Sequence, residues 1–181
     1  MTSQIKELPE AIACSGISVR TTNNAEISHE TAKLGRLWQK FYQNYAGDLP
    51  ADEDIYGIYH NYESDDLAGA FDVVASWQTA SAQDDTEQSS NDNAADANND
   101  AIKNTMANAG DVVTVNIPAG KYLVFSEEGH MPNTVMNAWE RAWEYFNAPD
   151  CEHTRTFAVD FEHYIDGNLE YGQVDVYICI E

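Results

Sequence analysis

The sequence predicts an α+β fold: two β-α-β-β repeats with pseudo-two-fold symmetry, forming a mainly antiparallel sheet with two main helices. Three observations predict it. The order strand–helix–strand–strand occurs twice along the chain, each copy carries one amphipathic helical stripe, and a segment of different composition separates the copies.

The first copy opens with a strand over 12–20 (IACSGISVR), bounded by Pro9 and the turn-like Thr-Thr-Asn-Asn. A helix is expected from about Ser28, with Glu30 in its first turn. Its apolar positions Leu34, Leu37, Trp38, Phe41 and Tyr45 recur with the 3.6-residue period, and it should stop before Gly47 and Pro50. Strands over 55–62 (IYGIYHNY) and Ala70–Gln78 follow, joined by a turn-rich Glu-Ser-Asp-Asp-Leu-Ala-Gly. In the second copy, Val112–Ile117 leads through Pro118-Ala-Gly into a strand over 121–126. A second helix is expected after Pro132-Asn133, with the stripe Val135, Met136, Trp139, Ala142, Trp143 and Phe146, ending before Pro149. Strands over 156–164 and 173–180 close the chain.

Length and composition suit one domain over 1–181, with residues 80–111 as an acidic low-complexity insertion. That insertion has no aromatic residue, seven acids and one lysine, and too little apolar surface to offset its ordering entropy; it reads as a mobile loop. It holds −6 of the net charge of −22, leaving −16 on the rest, so the structured part is acidic in its own right. Such a charge repels phosphate backbones and anionic lipid surfaces, which argues against direct nucleic-acid or membrane binding. The acidity reads equally well as surface solvation or as a potential attracting organic cations. No apolar run approaches the ~20 residues of a membrane span, and no signal-peptide pattern is visible. Three widely spaced cysteines, Cys14, Cys151 and Cys179, read as reduced thiols, and a cytoplasmic location is the default expectation.

The C-terminal hairpin invites a register argument. Placing Glu162 opposite Tyr177 gathers Phe157, Val159, Phe161, Val174, Val176, Ile178 and Ile180 on one apolar face. Asp160, Glu162, Tyr164, Asp175 and Tyr177 then share the other face. A carboxylate beside aromatic rings is how a pocket recognises a hydrophobic cation, the rings offering their π faces and the acid its charge. The plainer reading of Glu162 is a solvated acid on an exposed sheet face, and of Tyr177 an ordinary strand tyrosine. Trp139 and Trp143 lie four residues apart and so share a helix face, where core packing is the plain reading. Tyr59 and Trp77, on neighbouring strands, suit either core packing or the lining of a groove at the pseudo-dyad.

The repeated order, the stretch LWQKFYQ…IYGIYHNYESD in the first half and IPAGKYLVF…AWERAWEYF…FAVDFEHY…VDVYICI in the second together resemble the GyrI-like (gyrase-inhibitor-like) small-molecule-binding domains. These include effector-binding domains of AraC-type and multidrug-responsive regulators, and stand-alone proteins of the integron-cassette type. The resemblance covers the chain apart from 80–111. It implies a cleft between the two halves that binds amphipathic, often cationic, organic molecules. It also implies a pocket acid in the penultimate strand, matched here by Glu162, accompanied by an aromatic of the last strand, matched by Tyr177. The chain departs from the pattern in its acidic insertion, and no helix-turn-helix segment accompanies it.

Other chemistries lack their signatures. His29-Glu30 is followed by Lys33 where a zincin helix needs its second histidine, and no phosphate loop, dinucleotide fingerprint or Gly-x-Ser-x-Gly elbow is present. No metal and no cofactor are expected. The expected function is stand-alone binding of amphipathic cationic organic molecules, with Glu162, Tyr177, Tyr59, Trp77, Trp139, Trp143 and Tyr164 as ligand-binding candidates and none as catalytic. Two alternatives stay open. One is hydrolysis of reactive electrophiles by a Glu162-activated water, with Tyr177 or Tyr164 donating. The other is an acidic interaction module for a basic protein partner such as a topoisomerase.

Overall fold

The computed structural model describes residues 3–79 and 112–181, and the expected mobile insertion at 80–111 lies outside the described residues. Eight strands form one sheet: β1 (Gln4–Leu8), β2 (Ile12–Thr22), β3 (Ile55–His60), β4 (Ala70–Gln78), β5 (Val112–Ile117), β6 (Gly120–His130), β7 (Val159–Tyr164) and β8 (Tyr171–Cys179). The α-helices among the described residues are α1 (Asn23–Ile27), α2 (Leu34–Asn44) and α3 (Asn133–Asn147). Every strand pairing is antiparallel, in the order β1-β6-β8-β7-β3-β4-β2-β5.

The two predicted repeats are β2-α2-β3-β4 and β6-α3-β7-β8. Their strands stand in mirrored order on either side of the β3–β7 junction, so the pseudo-dyad runs between those two strands. The two remaining strands are exchanged. β1 precedes the first repeat but pairs with β6 of the second, and β5 precedes the second but pairs with β2 of the first.

That exchange curls the sheet. Laid flat, β1 and β2 would stand six strand spacings apart, about 29 Å at ~4.8 Å each. Only three residues join Leu8 to Ile12, a reach of at most about 14 Å. The two edges are therefore drawn together, and the face without helices is buried by the sheet's own curvature. Cys14, Ile58, Ile117, Tyr122, Phe161 and Tyr177 fill it. The other face is covered by α2, over β2 and β4, and by α3, over β6 and β8. Both faces are thus core.

Several boundaries depart from expectation for local reasons. β1 and α1 were not foreseen, the latter forming where a turn was expected, with the Thr22 hydroxyl accepting from the Ala25 amide. α2 starts at Leu34 rather than Ser28, because residues 28–32 close a turn and the Glu26 carboxylate accepts from the amides of Lys33 and Leu34. β3 stops at His60 because Asn61 turns to positive φ, and β7 starts at Val159 because Phe157 does the same (φ 53°). In α3, Val135, Trp139 and Ala142 are buried as expected, whereas Met136 is 61% exposed.

The expected hairpin register is wrong by one residue. Phe161 pairs with Tyr177 and Glu162 with Val176. Glu162 and Tyr164 therefore share the helix-covered face with Val174, Val176 and Ile178, while Tyr177 points to the opposite face beside Phe161.

Candidate functional site

The two strands at the pseudo-dyad carry the least ordinary side chain of the helix-covered face. Glu162, in the middle of β7, is 2% exposed. Its Oε1 accepts from the Tyr59 hydroxyl at 2.8 Å and from Trp139 Nε1 at 2.7 Å, and its Oε2 accepts from the Tyr164 hydroxyl at 2.8 Å. No cationic side chain pairs with it among the described residues. Removing a carboxylate from water costs several kcal/mol even after relaxation, and each hydrogen bond to a charged group returns only about 1.5–3 kcal/mol.

Electrostatics follow from that geometry. Burial pushes the Glu162 carboxyl above its ordinary value, and the three donors oppose the shift only in part. Burial also holds the Tyr59 and Tyr164 hydroxyls well above the usual tyrosine range, with the Glu162 charge adding to the effect, so both remain protonated donors. The arrangement places a desolvated carboxyl inside a shell of rings, with no cationic side chain of the described residues paired to it.

The site is built on the pseudo-symmetry. Gly57 of β3 is the direct ladder partner of Glu162 at the dyad. Two residues on, in each strand, stands one of the tyrosines: Gly57-Ile-Tyr59 and Glu162-His-Tyr164. Each helix adds a tryptophan, Trp139 from α3 and Trp38 from α2, the latter with its ring centroid 5.2 Å from that of Tyr164. Gly57 provides the room: a β-carbon there would fall 2.5 Å from Glu162 Oε2 and 2.9 Å from Trp38 Cζ2. Trp38 and Gly57 were missed as site residues. The signal for Gly57 was the matched placement of Gly-x-Tyr and Glu-x-Tyr in corresponding strands, and Trp38 stood in the predicted apolar stripe of α2.

The sequence profile of the GyrI-like small molecule binding domain matches residues 1–181. The chain belongs to this family. An integron cassette protein from the mobile metagenome of Vibrio cholerae is 34% identical to it and superposes with a TM-score of 0.73, over 99% of this chain and 95% of that one. SAV2435, solved bound to tetraphenylphosphonium, is 20% identical with a TM-score of 0.60, over 100% of this chain and 94% of that one. A putative transcription regulation protein from Staphylococcus aureus MU50 is 17% identical with a TM-score of 0.63, over 100% and 99%. None of the curated proteins is detectably similar to the chain. The GyrI-like relationship identifies a small-molecule-binding domain, and the two more distant likenesses show its fold.

In this GyrI-like domain the predicted site residues divide. Tyr59, Trp139, Tyr164 and Glu162 are in direct contact. Trp143 stands one step out, its ring centroid 6.1 Å from that of Trp139 and its side chain 39% exposed. Trp77 is core, stacked 5.9 Å from Tyr45 and packed on Phe41 beneath α2. Tyr177 is excluded from the Glu162 cluster by the register: its ring stacks on Phe161 at 4.3 Å and its hydroxyl accepts from Lys6 Nζ at 3.4 Å. The Cys14, Cys151 and Cys179 thiols are free, and burial pushes Cys14 up to about 12, far from nucleophilic use. Among the described residues no group of His, Cys, Asp and Glu side chains could hold a metal, and no helix is long and apolar enough to cross a membrane.

An open cleft of about 540 Å³ lies one ring out from the cluster: none of the cluster side chains lines it, and Trp143, which packs beside Trp139, is the link. It runs from Trp143 and Phe146 on α3 to Phe157 and Arg155 ahead of β7, with Asp65 and Leu67 of the β3–β4 loop along its rim. That volume lies within the usual range for small-molecule sites.

Proposed function

We propose that this domain binds amphipathic organic cations between its two repeats, with Glu162 as the charge partner and Tyr59, Trp139, Tyr164 and Trp38 as the surrounding rings. One observation carries the reading: a fully buried carboxylate that no described cationic side chain neutralises, enclosed by aromatic groups. The protein buries a carboxyl where water cannot solvate its anion, and a lipophilic cation is the species that gains most there. Ring faces in a desolvated setting contribute about 2 kcal/mol or more each, and the carboxylate adds a direct Coulomb attraction. The tetraphenylphosphonium bound by SAV2435 has the same chemistry and supports the assignment. The cleft walled by Trp143, the neighbour of Trp139, supplies the approach.

The test is calorimetric titration of the full chain with methyltriphenylphosphonium and with triphenylphosphine oxide, a neutral molecule of similar size. Cation binding that Glu162→Gln weakens selectively supports the proposal. Equal binding of both compounds, unaffected by the substitution, rules it out.

A further inference from the structure

The cleft one ring out from the Glu162 cluster is lined by a guanidinium that a buried carboxylate fixes on one side. Arg155 Nε and Nη2 donate to Asp160 Oδ2 at 3.2 and 2.6 Å, and Nη2 also donates to the Tyr62 hydroxyl at 3.1 Å. Tyr62 in turn donates to the same Oδ2 at 2.7 Å, while Asp160 Oδ1 accepts from the Cys179 amide at 2.8 Å. Asp160 is wholly buried. The guanidinium carbon sits 4.2 Å from the Phe157 ring centroid and 5.5 Å from that of Tyr62. Phe157 itself holds φ at 53°, a costly conformation for a bulky residue and one that tends to persist where a site needs it. Arg155 is thus oriented in advance of any ligand. Its remaining nitrogen, Nη1, makes no hydrogen bond to a described residue, and the side chain, 9% exposed, lines the cleft.

The charge around Arg155 decides what Nη1 can hold. Asp160 already neutralises the guanidinium at hydrogen-bond distance, and the chain carries a net charge of −22. A ligand carboxylate would therefore meet little attraction locally and repulsion from the molecule as a whole. A neutral oxygen acceptor loses far less on leaving water and suits a lone N–H donor in an aromatic cleft. We infer that the ligand is an aromatic cation bearing a neutral carbonyl or ether oxygen, which Arg155 Nη1 holds while its rings lie against Trp143, Phe146 and Phe157. This deepens the reading given above and rests on it for the cationic group, which Glu162 receives. Arg155 is then the residue that separates oxygen-bearing cations from purely hydrocarbon ones.

Three forms of one xanthylium dye test this on the full chain: the ethyl ester, the unsubstituted phenyl form and the free-acid zwitterion, titrated by fluorescence. The ester should bind about ten- to a hundredfold tighter than the unsubstituted form, the effect of one hydrogen bond from a charged donor, and tighter than the free acid. Arg155→Gln should abolish the ester preference. Because that change strands Asp160, the Arg155→Gln/Asp160→Asn pair is measured beside it, together with Trp143→Ala, an exposed wall residue expected to weaken all three dyes without moving the melting temperature. Ester and unsubstituted forms binding alike to the unaltered chain, or a preference that survives both Arg155 variants, overturns the inference. So does a free acid that binds as tightly as the ester. Glu162→Gln serves as the separate arm. If it leaves every dye affinity unchanged, the cation reading fails, and the ester preference still reports on Arg155 alone.

Discussion

Replacing Glu162 with Gln removes the charge and keeps most of the network. Oε1 still accepts from Tyr59 and Trp139, and the amide nitrogen faces the Tyr164 hydroxyl, which can rotate from donating to accepting. The fold should therefore survive, and relief of the desolvated charge should raise the melting temperature of the ligand-free protein slightly. The cost falls on cation binding. A cationic centre about 4 Å from the carboxylate, in surroundings of effective dielectric near 20, gains about 4 kcal/mol. Cavity water and imperfect approach reduce this, so a loss of about 2–4 kcal/mol, roughly 30- to 1,000-fold in Kd, is the expected range. Isothermal titration with methyltriphenylphosphonium reads the loss, and triphenylphosphine oxide should bind the variant about as it binds the natural protein. A variant that loses both compounds equally would show that Glu162 acts only in packing, and one that loses neither would show that the ligand does not reach it.

Gly57→Ala should cost about 1–3 kcal/mol in urea unfolding and weaken cation binding together, because the new methyl overlaps Glu162 Oε2 and Trp38; unchanged binding in a stable variant would mean the carboxylate can move aside freely. Since burial raises the folded-state Glu162 pKa, a proton competes with the ligand, and cation affinity should fall as pH drops through that raised value while Glu162→Gln shows a flatter profile. The same shift makes ionised Glu162 a stability penalty above its folded pKa, relieved as pH falls through it. The melting-temperature advantage of Glu162→Gln should therefore be largest at neutral pH and vanish in acid. Asp160→Ala should destabilise by about 3–5 kcal/mol in denaturant titration, since it strands the buried Arg155 guanidinium.

The repeat, the helices and most strand cores were legible in the sequence because each rests on local periodicity. Leu37 and Phe41 face the core as the 3.6-residue pattern requires, and Ala70–Gln78 and Val112–Ile117 keep their predicted ends. Features set by distant partners were not legible. The start of α2 depends on the Glu26 carboxylate reaching across a turn, and β1 exists because β6 offers an edge, neither of which a short window reveals. Arg155 was not singled out in the sequence: Asp160 lies only five positions on, but Tyr62, which completes the network, lies 93 positions away.

The one-residue error in the hairpin register has a physical cause that bears on function. Alternation fixes register only where one face of a sheet is wet, because then a slip exposes apolar residues. Here α3 covers one face and the curl of the sheet buries the other, so Val174 and Val176 on one side and Phe161 and Tyr177 on the other are all core. Collecting the apolar residues on a single face therefore selected the wrong pairing. The same double burial removes the plain reading of Glu162 as a solvated surface acid, since this strand has no solvated face at its position. Glu162 must then be tolerated at a cost, and its site supplies three donors, a glycine opposite and no counter-charge among the described residues. A purely structural acid gains nothing from lacking a cation, whereas a receptor for one needs that vacancy.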